Sequence, residues 1–203
     1  MTETIPRLAT PPSGFNIFSG GQPYDLNACL NFMGHMGYGY IEGYREAMNV
    51  LIDHVARTLT DQDLLIYPIL FLSRHHLELR LKSIIDLGNR IEGNGRSVPL
   101  IHNLTKLWEG CRPCLIEHTS PDDHEWFVSI KEVMDQMTQF DSGADAFRFP
   151  TLRDRSKSLD GVHHINIARL YEVLDPVMTW LDYAEGYLRQ ILDWQEEAIA
   201  SNQ

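Results

Sequence analysis

The sequence is short of cysteine, of basic charge and of long apolar runs, and each shortage excludes a class of protein. Its three cysteines are an odd number, which argues against a disulfide framework and makes a reducing cytoplasm the expected compartment. Lysine and arginine number 17 against 28 aspartates and glutamates, a net charge of −11. A general nucleic-acid coating protein is normally basic, so that class is disfavoured, though a local basic groove stays open. No stretch approaches the roughly 18 apolar residues of a membrane span. The N-terminus lacks a basic start followed by an apolar core, so no signal peptide is expected. Internal repeats and low-complexity tracts are also missing.

The 203 residues, 43% hydrophobic and 22% charged, suit one compact domain. Residues 1–39 hold Pro6, Pro11, Pro12, Pro23 and six glycines. They read as an irregular arm with one helical turn near Leu26–Phe32, and Gly34–Gly39 is too glycine-rich for a stable element. The domain proper is expected over 40–203. Helical spacing starts near Tyr40, with Ala47, Val50, Leu51, His54, Val55 and Leu59 as a core-facing stripe and Asp61 as a cap for the next helix. This second helix, about Leu64–Asn89, is apolar around most of its circumference, so other helices should surround it. Pro68 lies near its first turn, where a missing N–H costs little.

Asn103 is an N-cap for a short helix carrying Leu104, Leu107 and Trp108, interrupted or restarted at Pro113. Ser120-Pro121-Asp122-Asp123 opens a fourth helix, which carries Trp126, Phe127, Ile130, Val133, Met134 and Met137. A long connection over 144–165 permits a short extended piece. The last helix runs from about Asn166 to Ala198, with Pro176 as a kink or break. The fold expected is all-α: a single bundle of about five helices with an irregular arm and a long loop before the last helix.

The most informative stretch is Phe71-Leu-Ser-Arg-His-His-Leu-Glu-Leu-Arg-Leu-Lys82. At about 100° per residue, Arg74 and Glu78 share a stripe with Phe71, Leu81 and Ile85. Two opposite charges at i and i+4 inside an apolar face need each other, because an unpaired buried ion costs several kcal/mol. The pair is either a structural ion pair or the floor of a site.

Tyr67–Lys82 resembles the signature helix of a group of bacterial helical proteins. His102-Asn103-Leu104 with Leu107-Trp108 resembles that group's second block. Phe140-Asp141-Ser142 and Ala146-Phe147-Arg148-Phe149-Pro150 resemble its third. Order and spacing agree across roughly 40–190. The group is similar to the HEPN class, the higher-eukaryote and prokaryote nucleotide-binding domains, many of which are ribonucleases of toxin–antitoxin and phage-defence systems. The resemblance implies RNA or a nucleotide as ligand, an antitoxin or other protein as partner, and a homodimer without cofactor. Catalytic HEPN members carry an arginine, a polar residue, a spacer and a histidine near the start of a late helix. Here Arg96 and His102 have that loose spacing, with Ser97 and Pro99 between them. The apolar last helix, with Tyr171, Leu174, Trp180, Leu181, Tyr187, Leu188 and Trp194, either contributes to the dimer or is covered by its own domain.

Three constellations carry chemistry. Arg74, His75, His102, Glu78 and Arg148 form the first. Arginine binds phosphate through its planar fork, histidine moves protons near neutral pH, and Glu78 orients Arg74. That set fits metal-independent RNA cleavage, with Arg74, His75 and His102 as the catalytic residues. The competing reading is a buried polar network that fixes packing, in a non-catalytic interaction or regulatory protein. Arg148, Arg153, Arg155 and Lys157, interleaved with Phe147 and Phe149, form a basic island suited to single-stranded nucleic acid. The alternative is a solvated loop whose two phenylalanines plug the core. Arg148, flanked by apolar residues, is the one expected to point inward.

Cys111, Cys114, His118 and His124 have zinc-ligand chemistry, but they are compressed into 14 residues. Core cysteines are the reading preferred, with no metal expected. His163 and His164 read as surface or capping residues.

Overall fold

The computed structural model describes residues 14, 16–31, 37–120 and 123–201, in two compact units divided after Met36. In the first unit, a 3-10 turn spans Tyr24–Leu26. Asn27 pins it by bonding the backbone N–H and carbonyl of Gly21, both at 2.9 Å. The helical turn therefore sits earlier than the Leu26–Phe32 expected, with 27–31 non-helical. Pro6, Pro11, Pro12 and Gly34–Met36 lie outside the described residues.

The second unit is the all-α bundle expected. Among the described residues it has five helices: α1 Gly37–Thr58, α2 Gln62–Ile91, α3 Leu104–His118, α4 His124–Phe140 and α5 Ile167–Ser201. None of these is long and apolar enough to cross a membrane. α2 packs against α1, α3 and α5, and α4 packs against α3 and α5. This is why α2 buries residues around most of its circumference, among them Ile69, Leu70, Leu77, Leu81, Ile84 and Leu87. At the α2–α3 crossing a Cβ on Gly88 would lie 3.0 Å from the Cys114 Cβ, so the close approach depends on the absent side chain.

Several local expectations shift. α1 starts at Gly37 despite its glycines. Its inner face is Ile41, Met48, Leu51, Ile52 and Val55, of which Leu51 and Val55 match the expected stripe, while Ala47, Val50 and Leu59 are exposed. The core stripe is thus rotated from the one read off the sequence, because Ile41 and Met48 are the residues that meet α2. Asp61 precedes α2 with φ 64° and makes no side-chain cap; its carboxylate pairs instead with His54 Nε2 at 3.0 Å.

Pro68, Pro113 and Pro176 all lie inside unbroken helices. Each lacks an N–H for the carbonyl four residues back, and those carbonyls belong to Leu64, Glu109 and Glu172, all exposed residues that water can solvate. Asn103 caps α3 as expected, accepting from Lys106 N–H at 2.9 Å. Asn166 does the same for α5 through Arg169 N–H at 2.9 Å. At the start of α4, the Asp123 carboxylate accepts from Ser120 N–H at 3.0 Å; Pro121 and Asp122 are outside the described residues. Between α4 and α5 the expected extended piece is one bridge, Thr151 to Lys157. On α5, Leu174, Leu181 and Leu188 are buried within the domain, while Tyr183, Tyr187 and Trp194 stay exposed.

Candidate functional site

Arg74 organises one corner of the bundle. Its side chain is 2% exposed. Nη1 donates to Glu78 Oε2 at 2.7 Å, Nε faces Asp141 Oδ2 at 3.1 Å, and Nη2 donates to the His102 carbonyl. One guanidinium thereby ties α2 to the loop before α3 and to the end of α4. It answers two buried carboxylates and the carbonyls of His102 and Asp141, so it is spent on internal acceptors. An anion at this corner would feel Arg74 through the residues it holds.

Glu78 is equally buried, and its second oxygen faces outward. Oε1 accepts from Lys82 Nζ at 2.7 Å and from His102 Nδ1 at 2.8 Å. Burial pushes the Glu78 carboxyl up, and bonds from Lys82, Arg74 and His102 outweigh it, leaving the group below its ordinary value. The His102 side chain is 58% exposed. A carboxylate fixing Nδ1 leaves Nε2 available, which is the arrangement that orients a proton-transfer imidazole.

His75 is half-buried, stacked on Phe71 at 5.7 Å and met edge-on by Tyr44 at 4.6 Å. Burial pushes its pKa down. Glu78 opposes this, while Arg74, Lys82 and Arg148 add to it. Burial thus favours the neutral imidazole, and His75 shares an electrostatic neighbourhood with Arg148.

Asp141 links that neighbourhood to the loop. Its Oδ1 accepts from the N–H groups of Asp145 and Ala146 at 2.7 and 2.9 Å. Asp145 in turn pairs with Arg148 at 2.7 Å and Arg153 at 3.0 Å. Arg74, His102 and Arg148 thus belong to one connected network. Arg148 does not turn inward: it bonds the Ala144 carbonyl and lies over the Phe149 ring at 5.3 Å, 41% exposed. Its inner neighbour Phe147 plugs the core, whereas Phe149 is exposed, so only one of the two phenylalanines is a plug. Arg153, Arg155 and Lys157 are exposed. Among the described residues, Arg155 and Lys157 have no ion-pair partner.

The remaining candidates fall elsewhere. Among the described residues no group of three His, Cys, Asp or Glu side chains is placed to hold a metal. Cys111 and Cys114 are core residues. Cys111 donates to the Leu81 carbonyl at 3.3 Å. Burial and the charges of Glu92 and Glu117 push the Cys114 thiol up to about 11, so neither a thiolate ligand nor a redox nucleophile is favoured there. His163 and His164 are exposed.

Reading the sequence alone misses Asp141 and Asp145 as members of the site. It also misses a second buried network on α1, α2 and α5. There Arg80 meets Glu185, Glu42 (2.5 Å) and Asp182 (2.7 Å), and Arg45 meets Asp182 and Asp175 (2.8 Å). The available signal was Arg80 between two leucines in a helix that buries most of its circumference.

Comparison with family models, with curated proteins and with solved structures gives no match.

Proposed function

We propose that the chain is a HEPN-like protein of a bacterial defence or toxin system that binds RNA or a nucleotide at the His102 corner. The observation that carries the reading is the Glu78–His102 contact, a buried carboxylate holding an exposed imidazole at 2.8 Å. The surrounding charge supports it: Arg74, Lys82, Arg148 and Arg153 stand against Glu78, Asp141 and Asp145, a local cationic excess in a chain of net −11. Arg155 and Lys157 extend it along the loop, and exposed Phe149 offers a face for a base.

In the catalytic form of this reading no metal takes part. Neutral His75 accepts the proton of a 2′-hydroxyl, whose oxygen attacks phosphorus. Lys82 and Arg148 meet the charge that develops on phosphorane oxygens. His102, held against Glu78, gives a proton to the departing 5′-oxygen. The products are a 2′,3′-cyclic phosphate and a 5′-hydroxyl. Defence or toxin context and a homodimer rest on the motif resemblance, with exposed Tyr183, Tyr187 and Trp194 on α5 as the surface that would serve association.

A second reading has its own observation. Arg74, Arg148 and Arg153 are already paired with carboxylates of the chain, which suits a non-catalytic interaction protein. Labelled single-stranded RNA in excess EDTA separates the two. Wild type should bind it and release fragments ending in cyclic phosphate. His102→Ala should lose about 100-fold or more in rate, and a 2′-deoxy substrate should bind without being cut. If wild type neither binds nor cuts, the interaction reading replaces this one.

A further inference from the structure

Beneath the loop that joins α4 to α5 lies a cavity of about 290 Å³. Its walls are Leu70 of α2, Val133 and Met137 of α4, Leu174 of α5, and Phe147 and Leu159 of the loop. No charged residue lines it, and Gln136, itself exposed, is the one residue with a polar side chain in the lining. Gln136, Phe140 and Val173, all exposed, mark the mouth.

Protein interiors are close-packed and hold few voids larger than a water molecule. An apolar hollow roughly half this size, about 150 Å³, stays dry and takes up benzene or xenon. At 290 Å³ the volume falls at the small end of ligand sites, which start near about 300 Å³. The loop wall is also held in an unusual backbone state: Leu159 has φ 55°, rare for a leucine and of a kind that clusters at ligand clamps.

We propose that this cavity binds a small neutral molecule with an aliphatic chain, the chain inside and a single uncharged polar head at Gln136. A fatty-acid carboxylate is disfavoured, since no cation in the lining would answer it. Occupancy reaches the other corner through the chain itself. Phe140 and Phe147 are cavity walls, and their next residues, Asp141 and Arg148, belong to the Arg74 network. Binding stands apart from the RNA reading, because the cavity shares no lining residue with the His102 corner.

The test uses the purified full chain and 1-octanol as probe, followed by calorimetry, thermal melting and side-chain NMR of Arg148. Wild type should show saturable one-to-one binding, a raised melting temperature and a shifted Arg148 Nε–H resonance. Sodium octanoate should bind at least tenfold more weakly. Val173→Trp, at the mouth, should weaken octanol at least tenfold, and Gln136→Trp serves the same purpose should Val173→Trp melt early. Absence of saturable binding in wild type, or unchanged affinity in the folded mouth variant, overturns the site. Binding with no shift at Arg148 overturns the link to the network.

Discussion

Arg74 and Arg80 stand six residues apart on one helix, both buried and both ion-paired, and they end in different kinds of structure. The carboxylates of Arg80 come from helices: Glu42 on α1, Asp182 and Glu185 on α5. Ser83 and Arg189 complete the Glu185 bonding at 2.7 and 2.6 Å. Arg74 has one helical partner, Glu78, and reaches two connections, at His102 and Asp141. Its network opens through a loop on an exposed imidazole, whereas the Arg80 network stays among helices, with Glu42, Asp175 and Arg189 at its partly exposed edge. Buried ion pairs are weak evidence for function or for net stability. What separates these two is the loop end, where a rigid scaffold presents side chains to solvent.

Removing either cation should have the largest effect. Arg80→Met leaves Glu185 Oε2 without its cation while Ser83 and Arg189 still hold Oε1, and Arg74→Met leaves Asp141 held by the Asp145 and Ala146 N–H groups and weakens Glu78. Each should lose about 3–5 kcal/mol in urea unfolding, as expected when one member of a buried pair is deleted. Arg80→Met with Glu185→Leu should regain part of that loss, since an apolar pair replaces the most buried ions and Arg45 still answers Asp182. A loss below about 1 kcal/mol for either single variant would mean that the pair is solvated in solution.

Next comes pH, through a histidine beside the Arg80 network. His76 is fully buried, with Nδ1 at 3.0 Å from the Ile41 carbonyl. Burial pushes its pKa from 6.5 to about 4. The unfolded chain then binds more protons between those values, so stability is full above pH 6.5 and is lost as pH falls toward 4. The size is about 3 kcal/mol at about 1.36 kcal/mol per unit. Glu78 and Glu185, both lowered below their ordinary value, carry the same sign at more acidic pH. Asp182 carries the opposite sign: burial raises it, though Arg80 and Arg45 pull it down. Urea melts from neutral pH down to about pH 4 should show the loss, and His76→Leu should flatten it.

Gly88→Ala is smaller again. A Cβ 3.0 Å from the Cys114 Cβ requires Cys114 to give by a few tenths of an ångström, and overpacking of that kind should cost about 1–3 kcal/mol. A variant as stable as wild type would show that the crossing can relax.

Much of this was legible in the sequence, for identifiable reasons. Helical spacing and caps such as Asn103 act locally, so five helices and their order emerge from short windows. The Arg74–Glu78 pair was readable because i and i+4 neighbours meet on any helix. The rotation of α1 was not, since both Val50 and Met48 are apolar and only packing against α2 chooses between them. Pro113 and Pro176 read as breaks because a window cannot show that the carbonyls they free belong to exposed residues, Glu109 and Glu172. Asp141 and Glu185 were missed because their partners lie 67 and 105 residues away, a distance no local pattern encodes.

The smallest effect on stability should come from the residue that matters most to the proposed chemistry. His102→Ala removes one of the donors to Glu78 and leaves Lys82 and Arg74 in place. Water can replace an imidazole that is 58% exposed, so the cost should be about 1 kcal/mol or less, the range of one hydrogen bond exchanged with solvent. Against this, RNA turnover should fall by about 100-fold or more. The contrast with Arg74→Met is what matters: one variant breaks the scaffold, the other only its outward end. Were His102→Ala to unfold as readily as Arg74→Met, the imidazole would be a structural tie like Ser83 on Glu185. The His102 corner would then be as structural, in energetic terms, as the Arg80 network beside it.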